Sequence, residues 1–467
     1  MIEAKVVIVG AGPAGLAAAG RLARRGIRSL IIDDNLHAGG QIWRTGAGGG
    51  AKVAGDDARA ALRADAGWID HRRQHEVVAL FAPRKLWINA CDNGLLELDP
   101  DFLILAPGAL EVQIPVPGWT LPGVYGAGAL QALAKGSAVV PTGPVVVAGA
   151  GPLIRAVAVQ LADAGTDVAA VVDAAGLPGP STMAAMCSAP ALLAQGLRLE
   201  QALRRHRIPL LRRHAICSIE GKRRAERVLL TRLDRAWSPI RGHEQYLAAR
   251  TVALGFGVRP NSELPLLAGC AHRFDSRYGG WVPQRSDHFE TSVPGLFVVG
   301  DGGGIEGVES AEAQGLIAAE AIADRLGAAP SDPVRVTSAR KRRARQQRFR
   351  KALADWSNPR PGLLELCKDD TIVCRCEDVS AGEITRAALS IGRTAHAVKM
   401  ASRAGMGLCQ GRTCGVAIQS LVARATGVPI ETLAPLSRRP PLRPTPLGRL
   451  IRKDTQVEAA PTRDGVK

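Results

Sequence analysis

The sequence predicts an α/β protein built on two copies of a strand–glycine turn–helix–strand unit, followed by a small α-rich module. Three observations carry this reading. Gly10-Ala-Gly-Pro-Ala-Gly15 follows the apolar, β-branched run Lys5 to Val9. Gly149-Ala-Gly-Pro-Leu-Ile154 follows a similar run, Pro144 to Ala148. Four cysteines gather near the carboxyl end, Cys374 and Cys376 as C-x-C and Cys409 and Cys414 as C-x4-C.

In the first unit Gly10 makes the tight turn, Gly12 lets the backbone approach a pyrophosphate, and Gly15 lets the helix pack close to the strand. Pro13 and Ala14 open that helix, whose amino end offers free amides and a positive dipole end to a phosphate. The next strand, Arg28 to Ile32, ends in Asp33 and Asp34, either of which can accept from ribose hydroxyls. Gly39-Gly40-Gln41-Ile-Trp-Arg44 then supplies close backbone approach, with Gln41 and Arg44 as candidate contacts. Val77, Ala106 and Gly108 complete the expected wall of this site. The segment Thr291 to Asp301 ends in Gly300 and Asp301 and leads into a helix over Val308 to Ala323.

The second unit runs from its glycines through a helix to Ala164 and a strand ending at Asp173. Gly149, Gly151, Pro152 and Asp173 are its candidate nucleotide contacts. Ile154 stands where the third glycine would be, which pushes the helix back and alters pyrophosphate binding. Asp173 favours a free ribose 2′-hydroxyl over a 2′-phosphate. Two readings stay open: a site for NAD, ATP or a similar adenine nucleotide, and a degenerate unit that only scaffolds.

The four clustered thiolates suit a 2Fe–2S cluster or zinc. Cys91, Cys187, Cys217, Cys270 and Cys367 are scattered without a disulfide-like spacing, as in a reducing compartment. The formal charge is +17, concentrated in Arg340 to Lys351 and from Arg438 onward. No nucleic-acid reader motif accompanies it, so a solvated basic helix, a loose tail or docking to an acidic partner is expected. No charged-then-apolar leader and no run of about 18 apolar residues occurs, so a cytoplasmic chain without a transmembrane segment is expected. The organisation read from these signals is residues 1–118 with 245–330, an inserted unit at 119–244, a basic helix and linker at 331–366, the cysteine module at 367–436 and a basic tail at 437–467.

Thr291–Asp301 resembles the second FAD fingerprint of two-dinucleotide-domain flavoproteins, in which the terminal Asp holds the ribityl chain. Asp301 matches that position, and the following helix would point its amino end at the flavin pyrimidine ring. Leu103–Ala109 resembles the same family's ATG-type turn, with Pro107 where Thr is usual. No redox C-x2-C or C-x4-C lies before residue 330, so the flavin must exchange electrons with something other than an internal disulfide.

GAGPAG, GGQIWR, IPVPGWTLPGV (114–124), GAGPLIRAVA, the Asp301 fingerprint and CRCE…GMGLCQGRTC together resemble the α (A) subunits of heteromeric amine or imino-acid dehydrogenases. That group includes opine oxidases, D-hydroxyproline dehydrogenase, dye-linked proline dehydrogenase and the hydrogen cyanide synthase B subunit. The carboxyl module resembles the bacterioferritin-associated-ferredoxin type. The resemblance implies FAD, a 2Fe–2S cluster on Cys374, Cys376, Cys409 and Cys414, and a D-amino-acid-oxidase-like flavin β subunit that oxidises the substrate. Further candidates are a small ferredoxin-like γ subunit, together with a peripheral membrane contact through the electron acceptor. Arg375, Lys399, Arg403 and Arg412 would offset the cluster's negative charge. The expected role is relay of electrons from the partner flavin to an acceptor. The alternative is a self-sufficient NAD(P)H-dependent reductase of a protein acceptor. No catalytic base is legible.

Overall fold

The computed structural model describes residues 5–44, 55–90, 94–328 and 332–450. Cys91 and the tail beyond 450 lie outside these residues.

A five-stranded parallel sheet forms the first layer. Its order is Leu296–Val298, Phe102–Leu105, Val6–Val9, Ser29–Asp33 and Ile69–Arg73. Val6, Val7 and Ile8 are fully buried because both faces of the sheet are covered, which is why the strand reads as an unbroken apolar run. The helices Pro13–Arg24 and Val308–Arg325 pack on one face. They approach closely at Gly315, where a Cβ would lie 2.1 Å from the Ala14 carbonyl oxygen. Beside that crossing, Glu320 pairs with Arg21 and Arg25 in the interior.

A second five-stranded sheet has the order Leu210–Arg212, Val168–Asp173, Val145–Gly149, Thr251–Gly255 and Val124–Gly126. Thr251–Gly255 pairs in parallel with the strand that leads into the second glycine turn. Gln245–Ala248 belongs to a small antiparallel sheet with Arg227–Arg232 and His214–Glu220. The expected boundary at residue 244 therefore shifts to about 256, where Val258–Pro260 returns to pair with Ala109–Glu111. Thr251–Gly255 is buried at every position, and its short apolar run carries no signal of which parallel sheet it joins.

Pro333–Ser357 is a single long helix, started by the Asp332 carboxylate accepting from the Arg335 amide. It is not simply a solvated basic rod. Ala339, Gln346, Phe349 and Ala352 are buried, and Arg343 pairs with the interior carboxylate of Glu306 at 2.9 Å. The cysteine module follows, with its helix Ala381–Ser390 opened by a Ser380–Glu383 capping box. The segment after it is not loose either. The Leu442 amide donates to the Val78 carbonyl at 2.7 Å, and Arg443 pairs with Glu76 at 3.2 Å.

Candidate flavin and cluster sites

The first glycine turn opens onto a cavity of about 700 Å³, within the usual range for a ligand pocket. Gly10, Gly12, Pro13, Ala14, Asp33, Asp34, Gly40, Gln41, Val77, Ala106, Gly108, Gly300 and Asp301 all line it. These residues come from separate stretches of chain, and the fold brings them to one wall. Gly15 and Arg44 do not line it. Gly15 instead permits helix-to-strand contact, since a Cβ there would meet the Gly10 carbonyl oxygen at 1.9 Å. Arg44 donates to the Asn35 side chain beside the cavity.

The donor set fits a dinucleotide. Gly12 has only the Gly40 Cα at 4.0 Å in front of the position its Cβ would take, so phosphate oxygens have room beside the helix amino end. The two acids are not equivalent. Asp33 accepts from the amides of Ala11 and Asn35, the latter at 2.7 Å, and clamps the turn. Asp34 lines the cavity with part of its surface exposed, and desolvation by the surrounding wall and then Asp33 hold its carboxyl above the usual carboxylate range. Asp301 is raised by burial and accepts from the amides of Glu306 and Gly307 at 3.2 and 3.4 Å. Glu111 lies at the far end, which sequence reasoning missed. Burial pushes its carboxyl up to about 7, against the amides of Gly128, Ala129 and Ala127 at the start of the helix Ala127–Ser137. No motif surrounds Glu111, and only the fold brings it to the cavity.

The second turn is furnished differently. Ser357 Oγ lies 3.2 Å from where a Cβ on Gly151 would sit. The Trp356 indole donates to the Gly176 carbonyl at 3.0 Å, just beyond Asp173. Arg155 stacks on Trp356 at 5.1 Å and pairs with the fully buried Asp173 at 2.6 Å. Asp173 also accepts from the Ala175 amide. Ile154 is fully buried in the core of that unit. Of the four residues expected to bind a nucleotide here, Gly151 and Asp173 already face side chains of this chain. Gly149 serves the sheet, its missing Cβ being 1.7 Å from the Gly255 carbonyl oxygen. Pro152 begins the helix that Gly151 precedes.

The four cluster cysteines come together at the carboxyl module. Cys374 and Cys414 are buried, Cys409 is half-buried and Cys376 is exposed. The thiols hydrogen-bond in a chain, Cys374 with Cys414, Cys414 with Cys409 and Cys409 with Cys376. Cys414 and the amides of Gly405, Glu377 and Cys376 hold the Cys374 thiol down at about 6. Cys414 and the amides of Thr413 and Gly411 bring Cys409 to about 4. Thiolates with amide donors suit an iron–sulfur cluster, whose potential such donors tune. No described group of three or more His, Cys, Asp or Glu closes on a single ion. Gly407 is required here, because a Cβ would lie 2.2 Å from that of Cys376. Cys367 is buried with its thiol raised to about 11 by burial, and it packs in the module's core as a bystander.

The cluster loop reaches the flavin cavity. Arg412, between Cys409 and Cys414, makes a forked contact with Glu263 at 2.9–3.1 Å. Glu263 lines the cavity. Arg259 in turn donates to the Arg412 carbonyl at 2.9 Å. Of the other cations expected to face the cluster, Arg403 pairs with Glu377, Arg375 stacks on Trp119 and Lys399 donates to the Ser437 carbonyl.

Residues 4–315 match the pyridine nucleotide-disulphide oxidoreductase family, and residues 372–424 match the BFD-like [2Fe-2S] binding domain. The A subunit of the opine oxidase of Rhizobium meliloti (strain 1021) is 34% identical, over 95% of this chain and 97% of its own. The hydrogen cyanide synthase subunit HcnB of Pseudomonas protegens is 33% identical over 97% and 98%. The L-proline dehydrogenase of P. horikoshii shares the fold at a TM-score of 0.69 and 19% identity, over 97% of this chain and 80% of that one. The cavity, the four thiols and these similarities agree, and the chain belongs to the FAD-dependent oxidoreductase family that includes the opine oxidase A subunits and HcnB, with a carboxyl-terminal 2Fe–2S domain.

Proposed function

We propose that this chain is the electron-relaying subunit of a heteromeric dehydrogenase acting on C–N bonds of amine or imino-acid substrates, of the opine or D-hydroxyproline type. The FAD is held by Gly10, Gly12, Pro13, Ala14, Asp33, Asp34, Gly40, Gln41, Val77, Ala106, Gly108, Gly300 and Asp301. The 2Fe–2S cluster is held by Cys374, Cys376, Cys409 and Cys414. A partner flavin subunit oxidises the substrate, and electrons pass through this chain to an acceptor. The flavin takes electrons in pairs and the cluster passes them singly, which is the chemistry the two groups supply.

The observation that carries this reading is the Arg412–Glu263 contact, which ties the loop between two cluster cysteines to the wall of the flavin cavity. This continuity suits relay between two redox groups in one chain. The names of the relatives, which are subunits of an opine oxidase and of a hydrogen cyanide synthase, support membership of a multi-subunit assembly. The side chains that face Gly151 and Asp173 favour relay over hydride entry from a nicotinamide at the second unit.

The test is anaerobic reduction in the assembled complex. The chain is co-purified with a D-amino-acid-oxidase-like flavoprotein partner and given an opine or D-hydroxyproline. The expected result is bleaching of this chain's flavin with the partner present and none when the chain is alone with the same substrate. Bleaching without the partner, or none with it, would contradict the relay.

A further inference from the structure

Arg350 stands out among the basic residues of the helix Pro333–Ser357. Arg343 on the same helix is paired with Glu306. Arg348 points to solvent. Arg350 lines the flavin cavity, yet its Nε is buried and has no hydrogen-bond partner among the described residues. Its guanidinium lies against Gly307, where a Cβ would be 2.5 Å from Nη2. Gly307 is the residue immediately before the 18-residue helix Val308–Arg325 and has φ +90°. Burial lowers the arginine, while Asp301 and Tyr278 act to keep its charge.

A half-buried cation whose Nε has no bonded partner is costly unless an anion, Asp301 or a ligand group, meets it. The cavity wall indicates which part of the ligand that is. Asp33 and Asp34 mark one end and Gly12 the pyrophosphate position. Gly307, Val308 and Arg350 line the same cavity as Asp301, and Asp301 is near enough to Arg350 to act on its charge. The amino end of Val308–Arg325 already presents a positive dipole end there. A group that gains negative charge on reduction is best stabilised by fixed positive charge of this kind.

We propose that Arg350, delivered by the linker helix, is a positioning cation that stabilises the negative charge accumulating on the pyrimidine end of the reduced flavin. This rests on FAD occupying the cavity as assigned above. Arg350 lies outside both family matches, which end at residue 315 and begin at residue 372. The linker between the flavin and cluster domains would thereby set the potential of the flavin.

The experiment uses the full chain with FAD bound and reads the flavin midpoint potential by dye equilibration, with FAD affinity measured separately. Arg350→Gln should shift the oxidised-to-reduced ratio at least tenfold towards oxidised flavin, a fall of about 30 mV for a two-electron couple. FAD affinity should change by less than about threefold. Arg350→Lys should retain most of the potential, and Arg348→Gln should leave it unaltered. Arg350→Met, which removes the charge and keeps an unbranched side chain, should lower the potential by a similar amount and decides the matter if Arg350→Gln does not fold. An unchanged potential in Arg350→Gln, or in Arg350→Met, overturns the inference. So does a tenfold loss of FAD affinity at constant potential, which would make Arg350 a phosphate contact. A chain that binds no FAD at all would instead overturn the assignment of the cavity.

Discussion

In the first glycine-rich unit the turn after Val9 opens onto a cavity of about 700 Å³. In the second, the turn at Gly149–Gly151 meets Ser357, and the acid that ends the next strand is paired with Arg155 beneath Trp356. The same local chemistry thus serves two ends. One unit keeps its turn and Asp34 facing open space, and the other sets its turn and, through Arg155, its acid against the linker helix. A glycine motif dictates the backbone turn, but long-range packing decides whether a ligand can reach it.

The largest effect on bound FAD expected from breaking this contrast is at Gly15. Gly15→Val places a branched side chain where even a Cβ would lie 1.9 Å from the Gly10 carbonyl oxygen. Overpacking of about 3 kcal/mol and loss of most bound FAD are expected, read as the flavin-to-protein absorbance ratio and by thermal melting. In the second unit Asp173→Ala removes the buried one of the two carboxylates that pair with Arg155, leaving Glu200 at 3.0 Å. With Glu200 still in place it should cost about 3 kcal/mol of stability while the folded fraction keeps its FAD. Loss of FAD from folded Asp173→Ala would erase the distinction between the units.

Glu111 sharpens the comparison by pH, since it sits on the flavin side but caps a helix of the second unit. Its carboxyl is raised to about 7, so folding favours the protonated form. The stability this gives is fully present below the unfolded value of about 4.5 and is lost as pH rises through 7. Glu111→Gln should therefore match wild type near pH 4 and gain up to about 3 kcal/mol at pH 8, measured by urea unfolding of the FAD-free chain across that range. A smaller change is expected for Trp356→Ala. Loss of a half-buried indole should cost about 2 kcal/mol without any gain of reduction by NADH, because Arg155 and Ile154 remain in place.

Much of this was legible in the sequence, and the exceptions have a common cause. The two units, the Asp301 fingerprint and the four cysteines are local patterns, in which neighbouring residues specify a turn or a ligand set. Arg350, Trp356 and Ser357 belong to a stretch that reads only as a charged helix. Their roles depend on meeting Gly307, Gly176 and Gly151, and Trp356 lies 180 residues from Gly176. The same holds for Arg412 and Glu263, which are 149 residues apart. The segment around Arg438 to Arg443 reads as a basic tail, because nothing near it in sequence announces Val78 or Glu76 as a partner. The high positive charge is likewise used in part inside the molecule, by Arg343, Arg350 and Arg412. Among the described residues no helix is long and apolar enough to cross a membrane.

The most direct test of the relay account is an anaerobic titration of the purified chain with NADH and then NADPH, following the flavin absorbance. The account predicts no bleaching by either, since Ser357 stands beside Gly151 and Arg155 pairs with Asp173 in the second unit. Stoichiometric bleaching at a rate fast enough for turnover would contradict it and make the second unit a hydride-donor site.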